Sequence, residues 1–260
     1  MATVADIATF LERFAPPHLA ADWDNVGLLV GDRTRAVQRV MTCLTITPAS
    51  AAEAVESRAE LIVAHHPLPF QPLKRLTGDT TAGRMLLELI GARIAVFSPH
   101  TAFDSAAGGI NQRLAEGLGL RGIMPLVPDP QGLGAGRCGW TEEPATLGQM
   151  AGRVKELLAV ERVQMVGDPE QTVRTVAVAC GAAGELLAAA GRAGCDAMLL
   201  GEARFHACLE AEAAGIGLVL AGHFASERFA LDGLARVLAQ RFPQLEVWAS
   251  RRERDPIRWA

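Results

Sequence analysis

Four of the six histidines in this 260-residue chain stand where their spacing can support chemistry. His65 and His66 are adjacent and precede Pro67; His100 lies four residues before Asp104, and His223 four before Glu227. Neighbouring residues on an extended strand point to opposite faces, so two adjacent histidines converge only where the strand ends. Pro67 supplies that ending. Imidazole plus carboxylate, without cysteine, suits divalent ions such as Zn, Fe, Mn, Co or Ni. The set His65, His66, Asp104, His223 and Glu227 offers three neutral nitrogens and two carboxylates. Even with one carboxylate bridging, it cannot saturate two tetrahedral ions. Open positions are the mark of a catalytic site, in which metal-activated water is the nucleophile. His100 and Glu202 are not needed as ligands and are the candidates for proton shuttling or for holding a ligand through an outer hydrogen bond. The plain alternative is a turn cap for His100 and a helix cap for Glu202. His18, in a Pro-Pro-His loop, and His206, in a helical run, read as structural.

These residues hang on a repeated pattern. The apolar runs Val40–Leu44 and Val176–Cys180 are each followed by a small-residue turn, an alanine-rich helical stretch and a second apolar run, 61–64 or 197–201. Cys43 lies 22 residues before His65, and Cys180 lies 22 before Glu202. After another helical stretch comes a third run, 93–97 or 216–220, leading to His100 and Asp104 or to His223 and Glu227. The first copy carries about fourteen additional residues around Pro67–Thr80. Strands alternating with helices predict an α/β fold of two related halves, each a mainly parallel sheet flanked by helices. In such sheets the polar groups just past the carboxyl ends of strands face the ligand crevice. All seven candidates fall at or just after such ends. The predicted halves are residues 1–122 and 123–260, joined by a Pro/Gly-dense connection at about 121–139 with no inserted third domain. Within it Gly134, Gly136 and Gly139 fit G-x-G-x-x-G, but they follow a proline-rich loop instead of a strand, so a tight turn is the reading.

Composition narrows the class further. Half the residues are hydrophobic, and 25 basic against 29 acidic side chains give a net charge of −4. That is globular composition, and it argues against a general binder of nucleic-acid backbones. Five cysteines without a CxxC pair argue for buried reduced thiols. The start of the chain reads as an amphipathic helix instead of a signal peptide, and no apolar run is long enough to span a bilayer. The expectation is a cytoplasmic protein without membrane contact.

The segments Trp23-Asp24-Asn25-Val26-Gly27-Leu28-Leu29-Val30-Gly31, Ala64-His65-His66-Pro67, Ser98-Pro99-His100-Thr101 with Asp104, Gly134–Gly139, Gly201-Glu202, and Gly222-His223 with Glu227 resemble the NIF-three-like dinuclear-metal proteins, also labelled GTP cyclohydrolase I type 2 homologues. The resemblance runs nearly end to end. It implies His65, His66, Asp104, His223 and Glu227 as ligands of two divalent ions, with Glu227 bridging. It also implies two α/β halves packed face to face and a toroidal homohexamer. Thr45 departs from the family's pattern, in which an aspartate often follows this strand. In Trp23-Asp24-Asn25-Val26-Gly27, turn chemistry with Trp23 packed in the core is favoured over a functional role in which Asp24 and Asn25 line the site mouth and Trp23 stacks on a base. The combined expectation is a hydrolase, GTP cyclohydrolase type 2-like by resemblance, acting on a small anionic, nucleotide-like substrate. A phosphoesterase on the same ions and a non-enzymatic metal-binding scaffold or regulatory protein are the alternatives.

Overall fold

The aliphatic runs of the repeat become parallel strands joined through helices, in a computed structural model that describes residues 1–258. The fold is α/β, and the chain divides into two compact units. One comprises Met1–Phe103 and the chain from Ala230 onward; the other is Asp104–Phe229.

In the first unit the strand order is Glu246–Ala249, Arg39–Cys43, Leu61–Ala64, Ala95–Ser98, Gly27–Val30. The first three pairings are parallel and the last is antiparallel. Every residue of Leu61–Ala64 and Ala95–Ser98 is buried, as strands covered on both faces require. The intervening helices Pro48–Glu56 and Thr81–Gly91 start at Thr47 and Thr80, whose side chains accept from the N–H groups of Ser50 and Gly83. Ala51, Leu86 and Leu89 pack with Met41, Ile62 and Val96. The expected N-terminal amphipathic helix is Val4–Phe14, fixed by a capping box between Thr3 and Asp6.

In the second unit the order is Gln164–Val166, Gly217–Leu220, Ala197–Leu200, Thr172–Ala179, Arg137–Thr146, Arg121–Met124. The repeat is visible in its centre. Val176 pairs with Ala197 and Ala197 with Gly217, just as Val40 pairs with Leu61 and Leu61 with Ala95 in the first unit. Only these two pairings are parallel; the other three are antiparallel, so this sheet is mixed instead of mainly parallel.

The compact units do not divide at 122/123. The strand Glu246–Ala249 adds to Arg39–Cys43, returning the end of the described chain to the first unit. Residues 121–139 are no linker either: Arg121–Met124 and the start of Arg137–Thr146 are sheet strands, with a small Val127–Pro128/Gly134–Ala135 pair between them. The glycines there serve backbone geometry. Gly134 and Gly136 have φ of +134° and +62°, and a Cβ on Gly139 would stand 2.7 Å from the Arg121 carbonyl. Four of the five cysteines are buried and Cys208 is half-buried. Among the described residues no helix is long and apolar enough to cross a membrane.

Candidate functional site

The first unit gathers three imidazoles. His65 and His66 follow the strand Leu61–Ala64 directly, and their N–H groups donate to the carbonyls of Cys43 and Leu44 at 2.9 and 2.8 Å. The Ser98 hydroxyl donates to the His65 carbonyl at 2.6 Å, so the end of the next strand also fixes this turn. His100 opens the helix His100–Ser105 with φ of +26°, outside the usual range for a side-chain-bearing residue. Its ring centroid lies 5.2 Å from that of His65 and 5.4 Å from that of His66, while His65 and His66 are 5.0 Å apart. One nitrogen from each ring can be chosen so that all three lie within 4.8 Å of one another. His100, expected to shuttle protons, to hold a ligand through an outer hydrogen bond or to cap a turn, therefore belongs to a donor group with the two predicted ligands.

Asp24 holds His100 in place. Its Oδ1 is 2.7 Å from His100 Nδ1, and its Oδ2 accepts from the Thr101 N–H at 3.1 Å and from the Thr101 hydroxyl. Burial pushes the Asp24 carboxyl upward, but these hydrogen bonds from His100 and Thr101 outweigh it and leave the pKa at about 2. The reading of Trp23 as core is corrected: its side chain is 62% exposed. The bonds of Asp24 to His100 and Thr101 set the course of this loop, and Trp23 rests edge-on against His100 at 5.9 Å.

The second unit gathers carboxylates around His223. His223 and Glu227 are i and i+4 in the helix His223–Arg241, with Nε2 3.2 Å from Glu227 Oε2. His223 Nδ1 lies 2.9 Å from Glu202 Oε1. The hydrogen bond to Glu227 leads in raising the His223 pKa to about 9 against the opposing effect of burial, and Glu202 adds to it. Glu227 is buried, and Gly181 gives it room: a Cβ there would collide with Glu227 Oε1. Asp104 accepts from the Cys180 thiol at 3.0 Å. Burial, with Asp104 and Glu227 nearby, lifts the Cys180 pKa well above its ordinary value, so the thiol stays a donor. A cavity of about 680 Å³ has Glu185, Glu202, Arg204, His206 and Glu210 in its wall, which makes its lining acidic.

Each unit thus brings its own share of the predicted residues together. Sequence reading missed the roles of two of their partners: Asp24 was weighed as turn chemistry or as lining the site mouth, and Cys180 as a repeat marker and a buried thiol.

The model of the family described as Duf34/NIF3 (NGG1p interacting factor 3) matches residues 2–256. The chain belongs to this family. Among its Duf34/NIF3 relatives, a GTP cyclohydrolase 1 type 2 homolog of Clostridium acetobutylicum is 33% identical over 227 residues, covering 86% of this chain and 85% of the relative. NIF3-like protein 1 of Drosophila melanogaster is 31% identical, covering 98% and 88%. The crystal structure of a Bacillus cereus protein related to NIF3 superposes with a TM-score of 0.93 at 24% identity, covering 100% of this chain and 99% of that one, a likeness of fold. The Duf34/NIF3 chain described above carries histidine and glutamate groups that can hold a metal ion.

Proposed function

We propose that this protein is a metal-dependent hydrolase that binds two divalent ions through His65, His66, Asp104, His223 and Glu227 and acts on a small anionic, nucleotide-like substrate. The observation that carries the reading is the convergence of three imidazoles, His65, His66 and His100, at the ends of neighbouring parallel strands. Such a cluster is a costly use of buried polar side chains unless a cation draws the nitrogens together. The donor set fits Zn, Fe, Mn, Co or Ni by its chemistry, since it is imidazole and carboxylate without thiolate. Bound ions supply Lewis acidity that activates water, and positive charge that an acidic cavity lining does not provide.

The chain's own residues hold rings and protons. Asp24 fixes His100 through Nδ1, leaving Nε2 to accept a proton from attacking water or to return it to a leaving group. Glu202 fixes His223 through Nδ1 in the same way. The grouping of His100 with His65 and His66 favours one further reading, in which His100 is itself a ligand. His100→Ala separates these: retained ion uptake with lost turnover supports the proton carrier, and lost uptake supports the ligand.

The names of the curated relatives suggest GTP as a first substrate to try. Protein loaded with Mn, Zn or Fe should release formate or phosphate from GTP or from a member of a nucleotide and phosphoester panel. Full ion occupancy without turnover on any of them would sink the hydrolase reading and favour a metal-binding scaffold. A toroidal homohexamer, part of the same proposal, should appear in light scattering as six times the 27.6 kDa chain mass.

A further inference from the structure

The hydroxyl of Thr45 lies 2.6 Å from His66 Nδ1. Thr45 is not free to move away. Its N–H donates to Glu253 Oε1 at 2.9 Å, as does the N–H of Leu44 at 2.7 Å, and its carbonyl accepts from the Ser50 hydroxyl at 3.1 Å. Glu253 is buried, and the segment that carries it is anchored in turn. Glu53 accepts from the Ser250 hydroxyl at 2.7 Å and from the N–H groups of Arg251 and Arg252 at 3.0 and 3.1 Å. The hydroxyl is therefore aimed at His66 by the backbone on both sides of it.

A ring nitrogen occupied by a hydroxyl is unavailable to an ion, so this contact leaves His66 Nε2 as the ligand atom. The other two held histidines differ in their partner. His100 Nδ1 faces the Asp24 carboxylate at 2.7 Å, and His223 Nδ1 faces the Glu202 carboxylate at 2.9 Å. A carboxylate behind a ligating imidazole fixes the ring and makes it a stronger donor. A hydroxyl fixes the ring without lending charge. We propose that Thr45 is a positioning residue that reserves His66 Nε2 for an ion, and that its neutrality leaves His66 a weaker donor than an imidazole backed by a carboxylate. This rests on the metal-binding reading above.

The test uses the full chain and Mn or Zn alone. Affinity is measured by competition with a chromophoric chelator, and the His66 ring nitrogens of the metal-free protein are read by ¹⁵N NMR. Thr45→Val should lower the affinity for the ion held by His66 by about 10-fold or more and alter the His66 nitrogen shifts, while Thr45→Ser should restore both. Thr45→Asp should raise that affinity by about 10-fold and slow ion release. A Thr45→Val protein that binds as tightly as wild type with unchanged His66 shifts would overturn the positioning role. An Asp variant that binds no tighter would overturn the claim about charge. Wild-type protein that takes up no ion would instead sink the metal reading, and this proposal with it. Thermal melts identify a variant that fails to fold, and the Ser variant then decides by its His66 shifts: shifts away from wild type overturn the positioning role.

Discussion

Arg137 offers the sharpest test of how the second unit is held together. Its side chain is buried and all five guanidinium N–H donors are used. Nε donates to Gln112 Oε1 at 2.9 Å, one terminal nitrogen to the carbonyls of Gly134 and Gly136 at 2.8 and 2.7 Å, and the other to those of Ser105 and Ala106, both at 2.9 Å. It thereby ties the turn before its own strand to the helix end that follows Asp104. Replacing it with methionine keeps the apolar stem and removes all five bonds, although the Ala106 carbonyl still accepts from the Gly109 N–H at 3.0 Å and the Gly136 carbonyl from the Leu126 N–H at 3.5 Å. At about 1 kcal/mol for each lost bond the gross loss is about 5 kcal/mol. Relief of the buried charge returns a part, so a net loss of roughly 3 kcal/mol is expected for Arg137→Met. Lysine has only three donors, which leaves at least two of the five bonds unmade and predicts a loss of about 2 kcal/mol for Arg137→Lys. Urea denaturation followed by circular dichroism measures both. A methionine variant within about 0.5 kcal/mol of wild type would refute the reasoning, because the five bonds would then contribute nothing beyond the cost of burying the charge.

Two further predictions follow from the same bond networks. Gly181→Ala puts a Cβ at φ of +63° against Glu227 Oε1, whereas Gly194→Ala imposes a similar φ of +68° in open space. Denaturation should show a loss of about 1 kcal/mol for Gly194→Ala and clearly more for Gly181→Ala, with reduced ion uptake only in the latter. Equal losses would show that Gly181 does not make room for Glu227. Burial pushes the Glu53 carboxyl up, but the Ser250 hydroxyl, the N–H groups of Arg251 and Arg252 and the Trp248 indole together hold it below its ordinary 4.5. The unfolded chain then takes up the proton more readily. The stabilisation is complete above that ordinary value and is lost as pH falls through the lower folded value. Urea midpoints should therefore fall less steeply with acidification in Glu53→Gln than in wild type, and parallel curves would contradict the assignment.

The central strands of both units were legible in the sequence because fully buried parallel strands read as continuous aliphatic runs, and Leu61–Ala64 matches its predicted bounds. The strand Glu246–Ala249 was not, since its place depends on pairing with Arg39–Cys43 some two hundred residues earlier. Pro and Gly made 121–139 read as a connection although it carries sheet strands, because the antiparallel partner of Arg137–Thr146, Thr172–Ala179, lies beyond any local signal. Residue type and spacing were enough to single out His65, His66, His100, Asp104, Glu202, His223 and Glu227 as candidates. What orients them was hidden: the bonds from Asp24 to His100 and from Thr45 to His66 join segments 76 and 21 residues apart. The turn reading of Asp24-Asn25-Val26-Gly27 put Trp23 in the core, whereas Asp24 bonds to His100 and Thr101 and Trp23 is exposed.

The central claim is that this chain holds a pair of divalent ions. Elemental analysis of the purified protein, after loading with Mn, Zn or Fe and exhaustive dialysis, tests it most directly. The account predicts two ions per chain in the wild type and a clear loss in Glu227→Ala and in His65→Ala. A wild type that retains none, or a Glu227→Ala protein that retains both as tightly, would contradict it.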